Sequence, residues 1–235
     1  MKTRALTFHI VTIFPDMFQS YFSESIIARA IENKLIDVKT YSLREYTADK
    51  HRRVDGRPYA GGPGMVMWVD PIINCVDKIK KEIEKKDKKS KTKSKIKIVI
   101  FSPGGEDFDT SIAKKSAKNY TDIIFICGRY EGIDARVKKI LRASEWSIGD
   151  YVLTGGELPA MVCIDSISRQ IKGVLNDENS LEESRVSTHE IYARPEIYEY
   201  NGKRYTVPKV LLSGNHKLIE DWKKESLAKI QSKKK

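Results

Sequence analysis

Apolar residues fall along this chain in two alternating rhythms, short β-branched runs and longer stretches with helical spacing. Leu6 to Phe14 is rich in β-branched and aromatic residues and stops at Pro15, which predicts a buried strand. From Phe18 to Ile31 the positions Phe18, Phe22, Ile26, Ile27 and Ala30 recur at helical spacing and predict a helix, followed by a strand over Ile36 to Leu43. Asp70 to Lys86 places Ile72, Ile73, Val76, Ile79 and Ile83 on one face, with Asp70 expected as N-cap and Pro71 in the first turn. The tract that follows, Asp87 to Lys95, has no apolar face and reads as a flexible insertion.

The alternation then resumes. Ile96 to Phe101 predicts a strand and Ser102-Pro-Gly-Gly105 a loop, followed by a helix over Asp109 to Asn119 and a strand over Ile123 to Cys127. A helix over Asp134 to Leu141, a strand over Ser144 to Ile148 and an amphipathic helix over Glu157 to Gln170 complete the series. Strands alternating with helices imply an α/β fold with a parallel sheet and right-handed crossovers. Gly173 and Asn176-Asp-Glu-Asn-Ser180 break the pattern, so a boundary is expected near residue 172. The remainder holds an extended stretch, His189 to Tyr205, and a last helix from Asn215, its expected cap, to about Ile230.

Two segments carry candidate chemistry. Cys127-Gly-Arg-Tyr-Glu-Gly-Ile-Asp134 and Trp146-Ser-Ile-Gly-Asp-Tyr-Val-Leu-Thr-Gly-Gly-Glu-Leu-Pro159 each begin where a strand meets glycine and end where a helix starts. Loops at the carboxyl ends of strands are where open α/β sheets bind ligands. Arg129, Tyr130, Glu131, Asp150 and Glu157 converge on those loops, which favours a site over ordinary turns. No G-x-G-x-x-G follows the first strand, so a Rossmann dinucleotide site has no support.

Charge adds a partner class. The net charge of +11 suits a polyanion, although much of it is concentrated in Lys78 to Lys97 and in the final three lysines. Between Leu43 and Val69, Arg44, Lys50, His51, Arg52, Arg53 and Arg57 alternate with Tyr46 and Tyr59, a mixture that contacts phosphates and stacks on an unpaired base. The three cysteines, Cys75, Cys127 and Cys163, form no C-x-x-C pair and suggest a reducing, cytoplasmic setting. No run is long and apolar enough for a membrane span, so no membrane association is expected. His9 reads as a satisfied core histidine, and His216 lacks a second histidine or cysteine at ligand spacing, so no metal site is expected.

The segments GRYEGID, SIGDYVLTGGELPA, FPDMF, DKHRRVD with PYAGGPGMVM, and VPKVLLSGNHKLIEDW together resemble the bacterial tRNA (guanine-N1)-methyltransferase family, TrmD, over nearly the whole chain. The resemblance implies a deep trefoil knot of the SPOUT class in the second half of the α/β domain, and a small, mostly helical C-terminal domain. It implies a knotted domain over 1–172, a linker over 173–186 and a tRNA-binding domain over 187–235. S-adenosylmethionine is the implied cofactor and the guanosine 3′ of the anticodon the implied substrate; magnesium is a further cofactor that the residues neither support nor exclude. The implied assembly is a homodimer that shares each active site between subunits.

Carried over residue by residue, the resemblance places the cofactor against Phe101, Ser102 and Pro103, then Gly128, Tyr130, Glu131 and Gly132. It continues over Ile148, Gly149, Asp150, Tyr151, Val152 and Leu153, with Gly155, Gly156 and Pro159. RNA contacts fall on His51, Arg52, Tyr59, Gly61, Gly62, Asn215 and His216. Arg169 matches the family's catalytic arginine. The family's general base is an aspartate in an Asp-Ser-Phe triplet; here Glu183-Ser-Arg185 stands nearest, with Glu182 and Asp177 as alternatives. Two further departures are Gly56, where a second aspartate is common, and Ala60, where the first of three glycines is common. An RNA-binding module with a vestigial cofactor pocket remains the competing class. A related knotted enzyme acting on ribosomal RNA is disfavoured by the VLLSGNHKLIEDW block.

Overall fold

In the computed structural model, which describes residues 5–59, 61–90, 93–175 and 190–233, strand β1 (Leu6–Thr12) is buried at every position. It pairs in parallel with β2 (Ile36–Ser42) on one side and β6 (Asp122–Ile126) on the other. Beyond β6 come β5 (Ile96–Asp107) and β7 (Ser144–Ser147), also parallel, giving the order β2-β1-β6-β5-β7. The strands' period-two alternation sends side chains to two separate cores. Phe8, Val99, Ile123 and Phe125 face one layer of helices, and Ile98, Ile100, Ile124 and Ile126 face the other. The expected α/β fold with a parallel sheet is present.

On the first face lie α2 (Ser25–Glu32), α4 (Thr110–Asn119) and α6 (Glu157–Ser168), and on the second α3 (Val69–Ser90) and α5 (Ala135–Leu141). Asp109 caps α4 by accepting from the Ile112 amide, and Asp134 caps α5 by accepting from the Arg136 amide, both as Asx caps do. His9 is buried with its Nε2 3.1 Å from Asp122 Oδ1 and its Nδ1 3.0 Å from the Tyr41 hydroxyl, a satisfied core histidine as expected.

Five sequence expectations need correction. The helix expected over Phe18 to Ile31 is broken into a 3₁₀ turn (Pro15–Phe18), a single turn α1 (Gln19–Phe22) and α2, whose first residue, Ser25, is at φ +57°. Asp70 is not the N-cap of α3 but lies in its first turn. α3 continues to Ser90, into the tract read as flexible: Glu82 and Glu84 each precede a lysine by four residues, and Lys88 and Lys89 suit the negative end of the helix dipole. Ser102 to Gly105 is not a free loop but an irregular stretch inside β5, whose register against β7 shifts between Phe101 and Glu106. α6 is not amphipathic: residues of several faces are buried, and the exposed face carries Leu158 and Val162, 53% and 47% exposed.

The chain forms two compact units, Met1–Asn176 and Asp177–Lys235. Within the second, β8 (Ile197–Tyr200) and β9 (Lys203–Thr206) make an antiparallel hairpin closed by Asn201 and Gly202, at φ +49° and +71°. Such φ values at two central residues suit the right-handed twist of a hairpin. α7 (Lys209–Leu212) and α8 (His216–Lys233) follow. No helix among the described residues is long and apolar enough to cross a membrane.

Candidate active site

Beyond the carboxyl ends of β5, β6 and β7 three segments converge on one cleft. The β5 irregularity contributes Phe101, Ser102 and Pro103; the loop after β6 contributes Gly128, Tyr130, Glu131 and Gly132. The loop after β7 contributes Ile148, Gly149, Tyr151, Val152, Leu153, Gly155 and Gly156, and α6 adds Pro159. Every position assigned to the cofactor therefore lines the cleft except Asp150, which is exposed and absent from its wall. Arg129, Trp146, Ser147 and Thr154 line it as well. Trp146 and Ser147 end β7, and last strand residues border the crevice at a sheet's carboxyl edge.

One ion pair fixes the two glycine loops. Arg129 Nε donates to Glu157 Oε2 at 2.9 Å, and its Nη1 donates to the Thr154 carbonyl at 3.2 Å. Glu157, 1% exposed, also accepts from the Thr12 hydroxyl at 2.7 Å, so the pair is anchored to β1. The guanidinium lies 4.8 Å from the Phe14 ring centre, a cation–π contact. A Cβ on Gly155 would stand 2.6 Å from the Arg129 guanidinium carbon, and one on Gly156 2.7 Å from the Cys127 Cα. The Gly156 amide donates to the Gly128 carbonyl at 3.0 Å, so both glycines permit the loops' close approach. Gly155 thus serves Arg129 directly.

Tyr130 holds φ +60°, a costly setting for a bulky residue, and loop bonds on either side retain it. The Gly132 amide donates to the Arg129 carbonyl at 3.1 Å, and the Glu131 amide to the Met65 carbonyl at 3.0 Å. Tyr151 folds back over Gly149 and its hydroxyl donates to the Ile148 carbonyl at 3.1 Å.

The basic, tyrosine-containing loop is tied to this cleft by backbone. Besides the Glu131–Met65 bond, the Met67 amide donates to the Gly132 carbonyl at 3.0 Å and the Asp134 amide to the Met67 carbonyl at 3.1 Å. Gly61 and Gly62, at φ +72° and +104°, and Tyr59 are exposed beside that seam. Upstream, β3 (Asp55–Gly56) pairs with β4 (Val66–Met67), and Trp68 covers Gly56 so closely that a Cβ there would strike the indole nitrogen. His51 and Arg52 are exposed on a turn organised by Asp49, a residue the sequence reading passed over. Its carboxylate accepts from the His51 and Arg53 amides and from the Arg53 guanidinium at 2.8 Å. Those hydrogen bonds, the one from the Arg53 side chain foremost, hold its carboxyl well below the usual range. An aspartate accepting two residues onward is the available signal.

Arg169 is not at the cleft wall. It C-caps α6, whose 12 residues span about 18 Å, at the end away from Pro159. Glu183, with Glu182 and Asp177, lies outside the described residues. In the second unit Asn215 caps α8 by accepting from the Lys217 and Leu218 amides at 3.1 and 3.3 Å, and His216 is exposed beside it. The described residues contain no group of three His, Cys, Asp or Glu side chains able to hold a metal.

Comparison with known proteins gives the same direction. The family model described as tRNA (Guanine-1)-methyltransferase TrmD matches residues 6–235. A tRNA (guanine-N(1)-)-methyltransferase of Clostridioides difficile is 42% identical over 229 residues, covering 96% of this chain and 94% of that protein. Proteins of the same name from Thermomicrobium roseum and Dictyoglomus turgidum are each 45% identical, covering 93% and 95% of this chain and 78% and 86% of theirs. A family match that spans the sheet, the cleft and the second unit leaves one assignment: the chain belongs to the tRNA (guanine-1)-methyltransferase TrmD family.

Proposed function

We propose that this chain methylates N1 of the guanosine 3′ of the anticodon, position 37, in tRNA, with S-adenosylmethionine as donor. Family membership supports the reaction, and the backbone seam between residues 65–67 and 131–134 carries its geometry: it sets the basic loop against the cleft. The cleft suits the donor because glycine backbone, Pro103, Leu153 and Pro159 offer close polar and apolar contact, with Glu131 available to a cation. S-adenosylmethionine supplies an electrophilic methyl on a sulfonium. The cleft's residues position and desolvate, while Gly61 and Gly62 let the target base approach the seam.

N1 of guanine is nucleophilic only as its proton leaves and charge develops on O6. Glu183 takes that proton in this account, and Arg169 faces O6. Magnesium stays a further cofactor of this reading, with no cluster of three protein ligands among the described residues to assign to it.

Arg169 reaches a cleft through a second copy. On α6, Leu158, Val162, Asp165 and Arg169 recur at helical spacing, so the arginine shares a face with two exposed apolar residues. Tyr21 extends that face by donating to Asp165 at 2.7 Å. Such a face supports a homodimer that joins Arg169 to its partner's cleft. The same reading takes 1–172 as a trefoil-knotted catalytic domain of the SPOUT class, supported by membership of the family. It takes 173–186 as linker and 187–235 as the mostly helical tRNA-binding domain. Three unpaired, buried cysteines fit work in the cytoplasm.

Calorimetry with S-adenosylmethionine, with and without tRNA, tests the cleft, and sedimentation tests the dimer. Donor binding and a dimeric mass are expected. A vestigial-pocket RNA-binding module would bind tRNA and leave the donor unbound.

A further inference from the structure

Residues 78–97 carry eleven lysines against three acidic residues, a net +8 within a chain whose total is +11. The glycine-loop cleft uses none of them. α3 packs only through Ile83; from Glu84 to Ser90 it runs past its buried face, with Lys85, Lys86, Lys88 and Lys89 all exposed. None of these four lysines is in an ion pair with a described residue, and the three carboxylates of the tract, Glu82, Glu84 and Asp87, leave it strongly positive. The projection is also ordered at its root. Asp87 accepts from the Ser94 amide and the Ser94 hydroxyl, both at 2.7 Å, which fastens the last turn of α3 to the segment entering β5.

We propose that this projecting end of α3 is a second tRNA-binding surface, one that holds backbone phosphates remote from the methylated base. The inference rests on tRNA being the substrate. Like charges at positions 85, 88 and 89 repel on a helix face, and a density of unpaired lysines is relieved by a polyanion that releases its counterions to them. The location gives the contact its character. α3 starts beside the seam at Met67 and runs 22 residues, about 33 Å, toward the amino-terminal ends of the strands, opposite the cleft. A tRNA seated at the cleft therefore meets the patch with parts beyond its anticodon loop.

The test is a Lys85→Gln, Lys86→Gln, Lys88→Gln, Lys89→Gln variant, which removes four charges and keeps good helix formers. Full-length tRNA and an isolated anticodon stem-loop are compared as substrates across a salt series, with calorimetric binding of S-adenosylmethionine alongside. The KM for full-length tRNA should rise about tenfold at low salt, and the slope of log KM against log salt should fall by about 1 to 3, since each lost phosphate contact removes close to one unit. The kcat, the KM for the stem-loop and donor binding should match the parent. An unchanged KM and slope would make the lysines a merely solvated face. An equal penalty on the stem-loop, or lost donor binding, would also overturn the proposal, as would variant-sensitive binding to anionic lipid vesicles with tRNA kinetics intact. Failure of the parent to methylate tRNA would instead strike the functional reading itself.

Discussion

Arg129 and Glu157, 28 residues apart, meet at 2.9 Å between Nε and Oε2 and so bolt the loop after β6 to the start of α6. The carboxylate is almost wholly buried and the guanidinium largely so, which makes loss of either partner expensive. Removing one member of a buried pair typically costs about 3–5 kcal/mol because the other is left uncompensated. Glu157→Ala should therefore lower the unfolding free energy by about that much and weaken donor binding in parallel. Glu157→Gln keeps an acceptor for Thr12 and should lose less. Denaturant titration of both variants checks the order; equal losses would mean that the charge carries the whole contribution and the acceptor for Thr12 none of it.

Gly155 is the steric counterpart of that pair. Its missing Cβ makes room for Arg129, so Gly155→Val should weaken S-adenosylmethionine binding at least tenfold by pushing the guanidinium out. The double variant Gly155→Ala, Arg129→Ala should be less impaired than the sum of its single variants, the coupling expected of residues in contact. Additive losses by calorimetry would place the glycine's role elsewhere.

Much of this was legible in the sequence because it depends on local pattern. Four of the five strands of the sheet show β-branched runs, and the cleft's three segments carry glycine where strands end; the individual cofactor positions came from the family resemblance, and all but Asp150 fall on the cleft wall. The two failures in the first helix and in α3 have local causes that periodicity does not see. Ser25 turns the chain at positive φ, and Glu→Lys spacing sustains the last turns of α3, which have no apolar face. Arg129 was visible as a charged residue in a glycine loop, but its pairing with Glu157 is a tertiary fact. Trp68 over Gly56 is another: the glycine departs from the family's pattern, and only the fold reveals the indole that occupies the space.

Cys75, Cys127 and Cys163 are buried, and burial pushes all three thiols up, Cys75 to about 12. They should resist thiol reagents in the native protein and react fully in denaturant, as protonated inaccessible thiols do. The sign for stability follows from folded values above the unfolded value. Their contribution is complete below about pH 9, where unfolded thiols are still protonated, and declines as the pH rises from there through the folded value. Unfolding midpoints should thus fall steadily above pH 9. Rapid native labelling would contradict the buried assignment.

The proposed proton acceptor is tested by substitution at Glu183, Glu182 and Asp177. Glu183→Gln should keep donor and tRNA binding while reducing turnover about 10²–10⁴-fold, the usual range for a general base. Arg169→Ala should raise the barrier by about 3–4 kcal/mol, comparable to loss of an oxyanion donor. Normal turnover by Glu183→Gln, with activity abolished in Glu182→Gln or Asp177→Asn, would move the base within the same segment.

The most direct test of the whole account is nucleoside analysis of tRNA transcripts after reaction with S-adenosylmethionine. One transcript carries guanosine at position 37 and another adenosine there. The account predicts one methyl per guanosine-37 transcript, recovered as N1-methylguanosine at that position, and none on the adenosine-37 transcript. Methyl recovered on another atom or at another position, or no transfer despite tight tRNA binding, would contradict it.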